Sequence, residues 1–330
     1  MKERALDAWG AVRTMIRPGT KLRRPRLVDG PWPGAGRAAV WPLSQVLAAA
    51  VDLVRAGWIE AAEVHELLTI LDTYRDGDGF GPFPGERPRY YDDNAWLALD
   101  LLDAADVLGA AGLADRAART FRFIREGEHP DGGVYWVESP RRSRHTCSTA
   151  PAGLVAVGLA ERAADRDGRD DLLAFAGRCD AYLTRALRRD DALYADKVDD
   201  DGTRDEAIYA YNQGTPVALA VARFDTTGDR SHLDDAEASA AASLAYFGVD
   251  DRLWRHEPCF NAIWLRNLRA LGDPAVEAVT AAYADRLWDE GRDPRTGWFT
   301  GGGIGRYDRG GVLDQAGVVQ VLTMAATGPA

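Results

Sequence analysis

The chain has 330 residues, of which 46% are hydrophobic, so it is long enough to bury one large core. Its formal net charge of -11 argues against nucleic acid and anionic membrane as partners, because both are negatively charged. The three cysteines, Cys147, Cys179 and Cys259, are odd in number and far apart, which indicates free thiols rather than disulfides or a zinc site.

The N-terminal residues do not form the hydrophobic core of an export signal. Charged residues such as Lys2, Glu3 and Arg4 stand among the apolar ones. No apolar stretch elsewhere reaches the ~18 residues that a membrane span requires. We therefore expect a soluble, cytoplasmic protein without a membrane partner.

Two kinds of predicted helix alternate along the chain. Helices of the first kind are nearly free of charge over their first turns, which is typical of helices buried on all sides. They begin near Val40, Asp92, Cys147, Asn212, Pro258 and Val312. Helices of the second kind are amphipathic and rich in charge, and they cover residues 3–16, 60–75, 115–128, 170–188, 234–247 and 275–290. The sequence shows no convincing series of strands.

The connections between these helices alternate in length. A buried helix is joined to the next amphipathic one by a short turn, as at residues 57–58, and helices joined in this way lie antiparallel. The return connections are long, as at residues 76–91 and 190–211. Six inner and six outer helices in alternation predict an (α/α)6 barrel that takes in residues 1–330 as one domain. The long loops and the positive ends of six helix dipoles then meet at one end, the mouth.

Two adjacent carboxylates, Asp92 and Asp93, stand where the second inner helix begins, after Tyr90 and Tyr91 and before Trp96. One aspartate would serve as a helix cap. A pair of carboxylates is what cleavage of a glycosidic bond requires, and aromatic faces are what sugars stack on. The sequence therefore predicts a site that hydrolyses a glycosidic bond.

The spacing of the pair leaves its stereochemistry open. Successive side chains on a helix diverge by ~100°, but at a helix entrance two carboxylates can still flank one bond. A separation of ~5 Å implies retention, whereas ~6.5–9.5 Å implies inversion, and adjacency favours the shorter distance. One of the two carboxyl groups must carry a proton near neutral pH. Its pKa would be raised by the negative charge of the other carboxylate and by a pocket that excludes water.

Aromatic, amide and acidic side chains at the inner-helix starts predict a surface that recognises hydroxyl groups. A phosphate site would instead need lysine and arginine there. The candidate substrate-binding residues are Trp41, Tyr91, Trp96, Trp136, Asn212, Gln213, Asp314 and Gln315, the last two after a glycine-rich segment at residues 301–311.

The sequence resembles glycoside hydrolase family 76, the endo-α-1,6-mannanases, from about Trp41 to Gln320. The motifs that carry the resemblance occur in the expected order: Tyr91-Asp92-Asp93-Asn94-Ala95-Trp96, Gly132-Gly133-Val134-Tyr135-Trp136, Tyr211-Asn212-Gln213-Gly214 and Leu313-Asp314-Gln315. The resemblance implies an (α/α)6 barrel and a retaining enzyme that acts on a mannose-containing oligosaccharide. It also implies that Asp92 is the nucleophile and Asp93 the general acid/base, with no metal or cofactor.

Two features depart from that resemblance. Family members are commonly secreted, whereas an export signal is not evident here. The third inner helix opens with Cys147-Ser148-Thr149-Ala150-Pro151, where the family pattern predicts a segment that carries asparagine after Trp136. Substrate recognition at this helix therefore stays open.

Two other functions remain possible from the sequence. His145 and His256 precede the third and fifth inner helices, and sugar epimerases and isomerases on this barrel use paired histidine bases. A glycan-binding protein without catalytic activity would keep the same groove. The intact Asp92–Asp93 pair argues against the glycan-binding protein, and the position of the two histidines on non-adjacent loops argues against the epimerase.

Overall fold

The computed structural model describes residues 1–20, 24–299 and 310–328, and the predicted (α/α)6 barrel is confirmed. Helices and strands are numbered in chain order. The six inner helices each contact the next, and the last contacts the first, so they close a ring. They are α2 (Val40–Arg55), α4 (Tyr91–Leu108), α6 (Thr146–Ala160), α8 (Ala210–Thr227), α11 (Pro258–Leu268) and α13 (Val312–Thr327).

Six amphipathic helices surround this ring, and their charged faces point to solvent. They are α1 (Lys2–Arg13), α3 (Ala61–Leu71), α5 (Ala111–Glu126), α7 (Arg166–Tyr182), α9 (Arg230–Phe247) and α12 (Pro274–Arg286). Single π turns, Leu183–Leu187 and Leu287–Gly291, extend α7 and α12 close to their predicted ends. A short helix, α10 (Arg252–Arg255), lies in the connection before α11.

The long loops contain short strands that the sequence did not reveal, because strands of two or three residues are too short to show alternation. Two antiparallel pairs form between β1 (Ile16–Arg17) and β2 (Arg26–Leu27), and between β3 (Arg75–Asp76) and β4 (Gly79–Phe80). A three-stranded sheet joins β5 (Ser143–His145), β6 (Lys197–Asp199) and β7 (Arg204–Asp205), with Arg144 opposite Val198. This sheet ties the loop before α6 to the loop before α8.

The inner helices approach one another closely because they are apolar and carry glycine at contact points. A Cβ atom at Gly317 of α13 would lie 2.5 Å from the backbone of Cys259 on α11. A Cβ at Gly214 of α8 would lie 2.8 Å from the backbone of Trp264. Among the described residues, no helix is both long and apolar enough to cross a membrane.

In α4, α6, α8 and α13, the fourth residue of the helix anchors the loop that precedes that helix. Three of these residues use a side-chain amide that accepts a hydrogen bond from the N–H of one loop residue and donates to its C=O: Asn94 binds Phe80, Gln213 binds Tyr194 and Gln315 binds Phe299. In α6, Thr149 accepts from the N–H of Val134. Loops that run over the barrel mouth are thereby held in fixed positions.

Candidate active site

A cavity of about 690 Å³ lies at the mouth of the barrel, where the inner helices begin. The second residue of each of the first four inner helices lines it: Trp41, Asp92, Cys147 and Tyr211. Of the predicted site residues, Asp93, Trp96 and Trp136 also line the cavity. The structure therefore brings both aspartates and all three predicted tryptophans to one place.

The Asp92 carboxylate is held at one oxygen by two donors from neighbouring elements. Trp136 Nε1 donates to Oδ2 over 2.9 Å, and Cys147 Sγ lies 3.6 Å from the same oxygen. The other oxygen, Oδ1, is buried and has no hydrogen-bond partner among the residues that the structure describes. Burial raises the pKa of Asp92 to about 6, while the hydrogen bond from Trp136 works in the opposite direction.

Asp93 has a different environment, although it is the next residue of α4. No side chain in the described part of the chain donates a hydrogen bond to its carboxyl group. Burial, followed by the negative charge of Asp92, raises the pKa of Asp93 well above its ordinary range. The hydrogen bonds to Asp92 therefore favour its ionised form, whereas burial and the neighbouring charge both favour the protonated form of Asp93.

Trp136 is fixed between two other rings. Its indole stacks on His145 with the ring centroids 5.3 Å apart and meets the edge of Tyr90 at 5.0 Å. The ring is nevertheless 39% exposed, which is unusual for a tryptophan. It can therefore serve as a platform for a sugar while its N–H holds Asp92.

The opposite wall of the cavity is aromatic. Trp41 stacks on Phe260 at 5.8 Å, and Tyr211 meets the edge of Phe260 at 4.4 Å. Tyr209 stacks on Tyr211 at 5.8 Å. The Nε1 atom of Trp41 is buried and has no acceptor within the described ranges. The wall therefore offers aromatic faces to a ligand in the cavity.

The family of the chain follows from sequence comparison. The sequence profile of glycosyl hydrolase family 76 matches residues 22–268, which is well over half of the chain. The chain belongs to glycosyl hydrolase family 76. The resemblance drawn from the motifs above is thereby confirmed.

Solved structures of family 76 enzymes share the fold over nearly the whole chain. A family 76 glycoside hydrolase from Bacteroides thetaiotaomicron has a TM-score of 0.86 at 21% identity, over 98% of this chain and 77% of that chain. The α-1,6-mannanase of Salegentibacter sp. HEL1_6 has a TM-score of 0.79 at 19% identity, with 98% of both chains covered. An inactive variant of that mannanase, with two adjacent aspartates changed to asparagine, is known in complex with α-1,6-mannotriose.

One curated relative matches a shorter region. The meiotically up-regulated gene 191 protein of Schizosaccharomyces pombe is 27% identical over 149 residues, which make up 41% of this chain and 34% of that protein. The match thus spans about a third of the length of that relative.

Two further carboxylates, Asp196 and Glu257, line the family 76 cavity and were not predicted. Asp196 lies in the loop before α8, and its Oδ1 accepts a hydrogen bond of 3.0 Å from Asn212. Burial raises the pKa of Asp196 to about 6, and the hydrogen bond from Asn212 lowers it. A repeat in the loops could have revealed it, since Asp196 follows anchored Tyr194 by two residues, as Trp136 follows anchored Val134.

Five of the predicted substrate-binding residues lie outside the cavity lining and need correction. Gln213 and Gln315 use their amides to anchor loops, and Asn212 supports Asp196. Tyr91 is fully buried: its ring stacks on Phe123 at 4.8 Å, and its hydroxyl accepts a hydrogen bond from Arg141. Asp314 is buried too, and burial, then the charge of Glu257, raises its pKa to about 8. Of the segment before α13, residues 300–309 lie outside the described residues.

The two histidines of the epimerase alternative do not meet. His145 lines the cavity, where burial, followed by the charge of Lys197, lowers its pKa to about 4. His256 lies outside the cavity lining, 3.2 Å from the carbonyl oxygen of Ile208. Among the described residues that line the cavity, there is therefore no second histidine base.

The residues that could ligate a metal are dispersed. Within the described parts of the chain, no group of three or more His, Cys, Asp or Glu side chains is arranged to hold a metal ion. The three cysteines are buried as free thiols. The expectation that the reaction needs neither metal nor cofactor stays a prediction.

Proposed function

We propose that this family 76 protein hydrolyses α-1,6-mannosidic bonds with retention of configuration, with Asp92 as nucleophile and Asp93 as general acid/base. The observation that carries the proposal is the arrangement of the two carboxyl groups. They line one cavity and differ in hydrogen bonding, because Asp92 has two side-chain donors and Asp93 has none among the described residues.

The proposed reaction has two steps. An Asp92 oxygen attacks the anomeric carbon, and the bond to the leaving oxygen breaks while Asp93 gives that oxygen its proton. Asp93, now ionised, then removes a proton from water while the water oxygen attacks the same carbon and releases Asp92. This single proton restores the acid form of Asp93, and the two inversions give net retention.

The surroundings of the pair suit an ionised nucleophile and a sugar ligand. Asp92 lies in the first turn of α4, where the helix dipole favours negative charge. The faces of Trp41, Trp136 and Phe260 offer apolar surface to a sugar ring. Asp196 offers a carboxylate that can accept hydrogen bonds from sugar hydroxyls.

The substrate and linkage come from similarity to the Salegentibacter enzyme. That protein is an α-1,6-mannanase, and its inactive variant carries asparagine in place of two adjacent aspartates. Asp92 and Asp93 are an adjacent pair in the chain described here. This correspondence supports mannose as the sugar and the pair as catalytic.

The first experiment incubates the protein with α-1,6-linked mannotriose and longer oligosaccharides and follows the product anomers by NMR. We expect the α-anomer to appear first. An initial β-anomer would refute retention, and cleavage of α-1,2- or α-1,3-linked mannobiose at an equal rate would refute the linkage. Binding without turnover, measured by calorimetry, would favour a glycan-binding protein instead.

The second experiment separates the two carboxylates. Asp92→Asn should abolish cleavage of every substrate, because no nucleophile remains. Asp93→Asn should lose ~10²–10⁴-fold on natural oligosaccharides but keep the first step on a mannoside with an activated leaving group, which needs no proton. Asp103→Asn, on the same helix but away from the cavity, is the matched control. Full activity of either catalytic variant would contradict the assignment.

A further inference from the structure

We propose that the Cys147 thiol is a positioning residue for the nucleophile, where it holds the Asp92 carboxylate in one orientation and favours its ionised form. The inference rests on the proposed function, because it concerns the nucleophile of that reaction. Cys147 is the second residue of α6 and lines the cavity. Its Sγ lies 3.6 Å from Asp92 Oδ2, within the range of a thiol hydrogen bond.

The thiol shares this oxygen with a second donor. Trp136 Nε1 reaches Asp92 Oδ2 from the loop before α6, and Cys147 reaches it from α6 itself. One hydrogen bond leaves a carboxylate free to turn about its terminal torsion, whose preferences are broad. Two donors from different elements restrict that rotation, so the oxygens keep a fixed relation to the cavity.

Neutral donors matter here because the cavity lining that the structure describes contains no lysine or arginine. A neighbouring positive charge usually keeps a buried carboxylate ionised. In this cavity, hydrogen bonds to the charged form have that effect instead. The hydrogen bond from Cys147, like that from Trp136, lowers the pKa of Asp92, which burial alone would raise further. The other titratable groups that line the cavity with this pair are Tyr90, Asp93, His145, Asp196, Tyr209, Tyr211 and Glu257.

The same surroundings keep the sulfur protonated. Burial, and then the charge of Asp92, raises the pKa of the Cys147 thiol well above its ordinary range. A thiol in this state donates a proton in a hydrogen bond and is a poor nucleophile. Cys147 therefore supports Asp92 and does not compete with it for the sugar.

The test compares Cys147→Ser, which keeps a donor, with Cys147→Ala, which removes it. Cys179→Ala is the matched control, since this buried thiol lies on α7 outside the cavity lining. The pH profile of kcat/KM is measured on α-1,6-mannotriose. The pKa of the Asp92 carboxyl group is measured by ¹³C NMR in the free enzyme, with its signal assigned from Asp92→Asn.

We expect Cys147→Ala to raise the pKa of Asp92 and to move the acid limb of the profile to higher pH. Activity below pH 6 should fall by about two- to tenfold, the effect of one hydrogen bond, and recover at higher pH. Cys147→Ser should stay close to wild type, and Cys179→Ala should leave both readouts unchanged. An equal loss for serine and alanine at every pH, or an unmoved Asp92 signal in Cys147→Ala, would overturn the proposal.

The NMR titration needs no substrate, so it separates two kinds of failure. A wild-type protein that does not cleave mannooligosaccharides would defeat the proposed function, whatever the carboxyl titration shows. A wild-type protein that cleaves them, with an Asp92 signal indifferent to Cys147→Ala, would defeat only the role of the thiol.

Discussion

Replacement of Trp136 by phenylalanine tests how the cavity sets the charge of the nucleophile. The change removes the Nε1 donor from Asp92 and leaves an aromatic ring to stack on His145. A hydrogen bond of 2.9 Å to an ionised group contributes about 1.5–3 kcal/mol. The indole is partly exposed, so water replaces some of this contribution and the lower figure applies. That figure corresponds to about one pKa unit.

Whether the pKa of Asp92 rises or falls follows from which form of its carboxyl group the donor favours. The Trp136 hydrogen bond favours ionised Asp92, whose pKa is about 6, so its loss raises this pKa by about one unit. Activity requires the ionised form, and the acid limb of kcat/KM therefore moves upward. From ionisation alone, activity at pH 6 should fall about fivefold, while at pH 8 it should hardly change.

The assay is kcat/KM on α-1,6-mannotriose between pH 4 and pH 9. Trp288→Phe is a suitable control, because this indole packs near Phe299 and lies outside the cavity lining. An acid limb that stays in place in Trp136→Phe, with activity lowered equally at all pH values, would mean that Trp136 serves only as a platform. The account of how Asp92 is kept ionised would then be wrong.

Three further predictions concern stability and the support of the site. Gln213→Leu leaves the buried N–H and C=O of Tyr194 unpaired, which should cost about 1–3 kcal/mol in urea unfolding. It should also lower kcat/KM, because Tyr194 lies in the loop that carries Asp196. Arg266→Met removes one of the two arginine partners of Asp52, near the C-terminal ends of α2 and α11, and should cost about 3 kcal/mol in the same assay without moving the pH profile. Asp100→Asn should stabilise the protein, because burial, then a neighbouring carboxylate, raises the pKa of Asp100 well above its ordinary value. The folded state therefore keeps a proton that the unfolded chain releases, so the free energy of unfolding of the wild type falls as pH rises. The stabilisation by Asp100→Asn should consequently be larger at pH 8 than at pH 5.

The ring of helices could be predicted because each inner helix repeats one simple pattern. A helix such as α6 has apolar residues on all sides, and this pattern alone indicates burial. The alternation of short turns and long loops then fixes which ends of the helices share the mouth. The pair Asp92 and Asp93 was found for the same reason, since it occupies a helix start whose location the pattern gives.

The amides at the helix starts could not be assigned in the same way. Gln213 and Asn212 are neighbours in sequence, and either amide suits a sugar hydroxyl equally well. The difference lies in what is close in space, because the Gln213 amide bonds to the backbone of Tyr194 and Tyr209, and the Asn212 amide supports Asp196. A sequence gives the hydrogen-bonding capacity of a side chain but not the partner that uses it.

The second and fourth residues at the inner-helix starts have different roles, and this difference also explains why Asp196 was not predicted. The second residue of the first four inner helices lines the cavity, whereas the fourth residue of α4, α6, α8 and α13 holds the preceding loop by its backbone. That anchor sets the loop register, so the residue two positions beyond the anchored one, Trp136 in one loop and Asp196 in another, comes to the cavity wall. Loop residues carry no periodicity of their own and can be located only through the helix residue that holds them. A change at such an anchor should therefore affect catalysis without any contact between the changed side chain and the substrate.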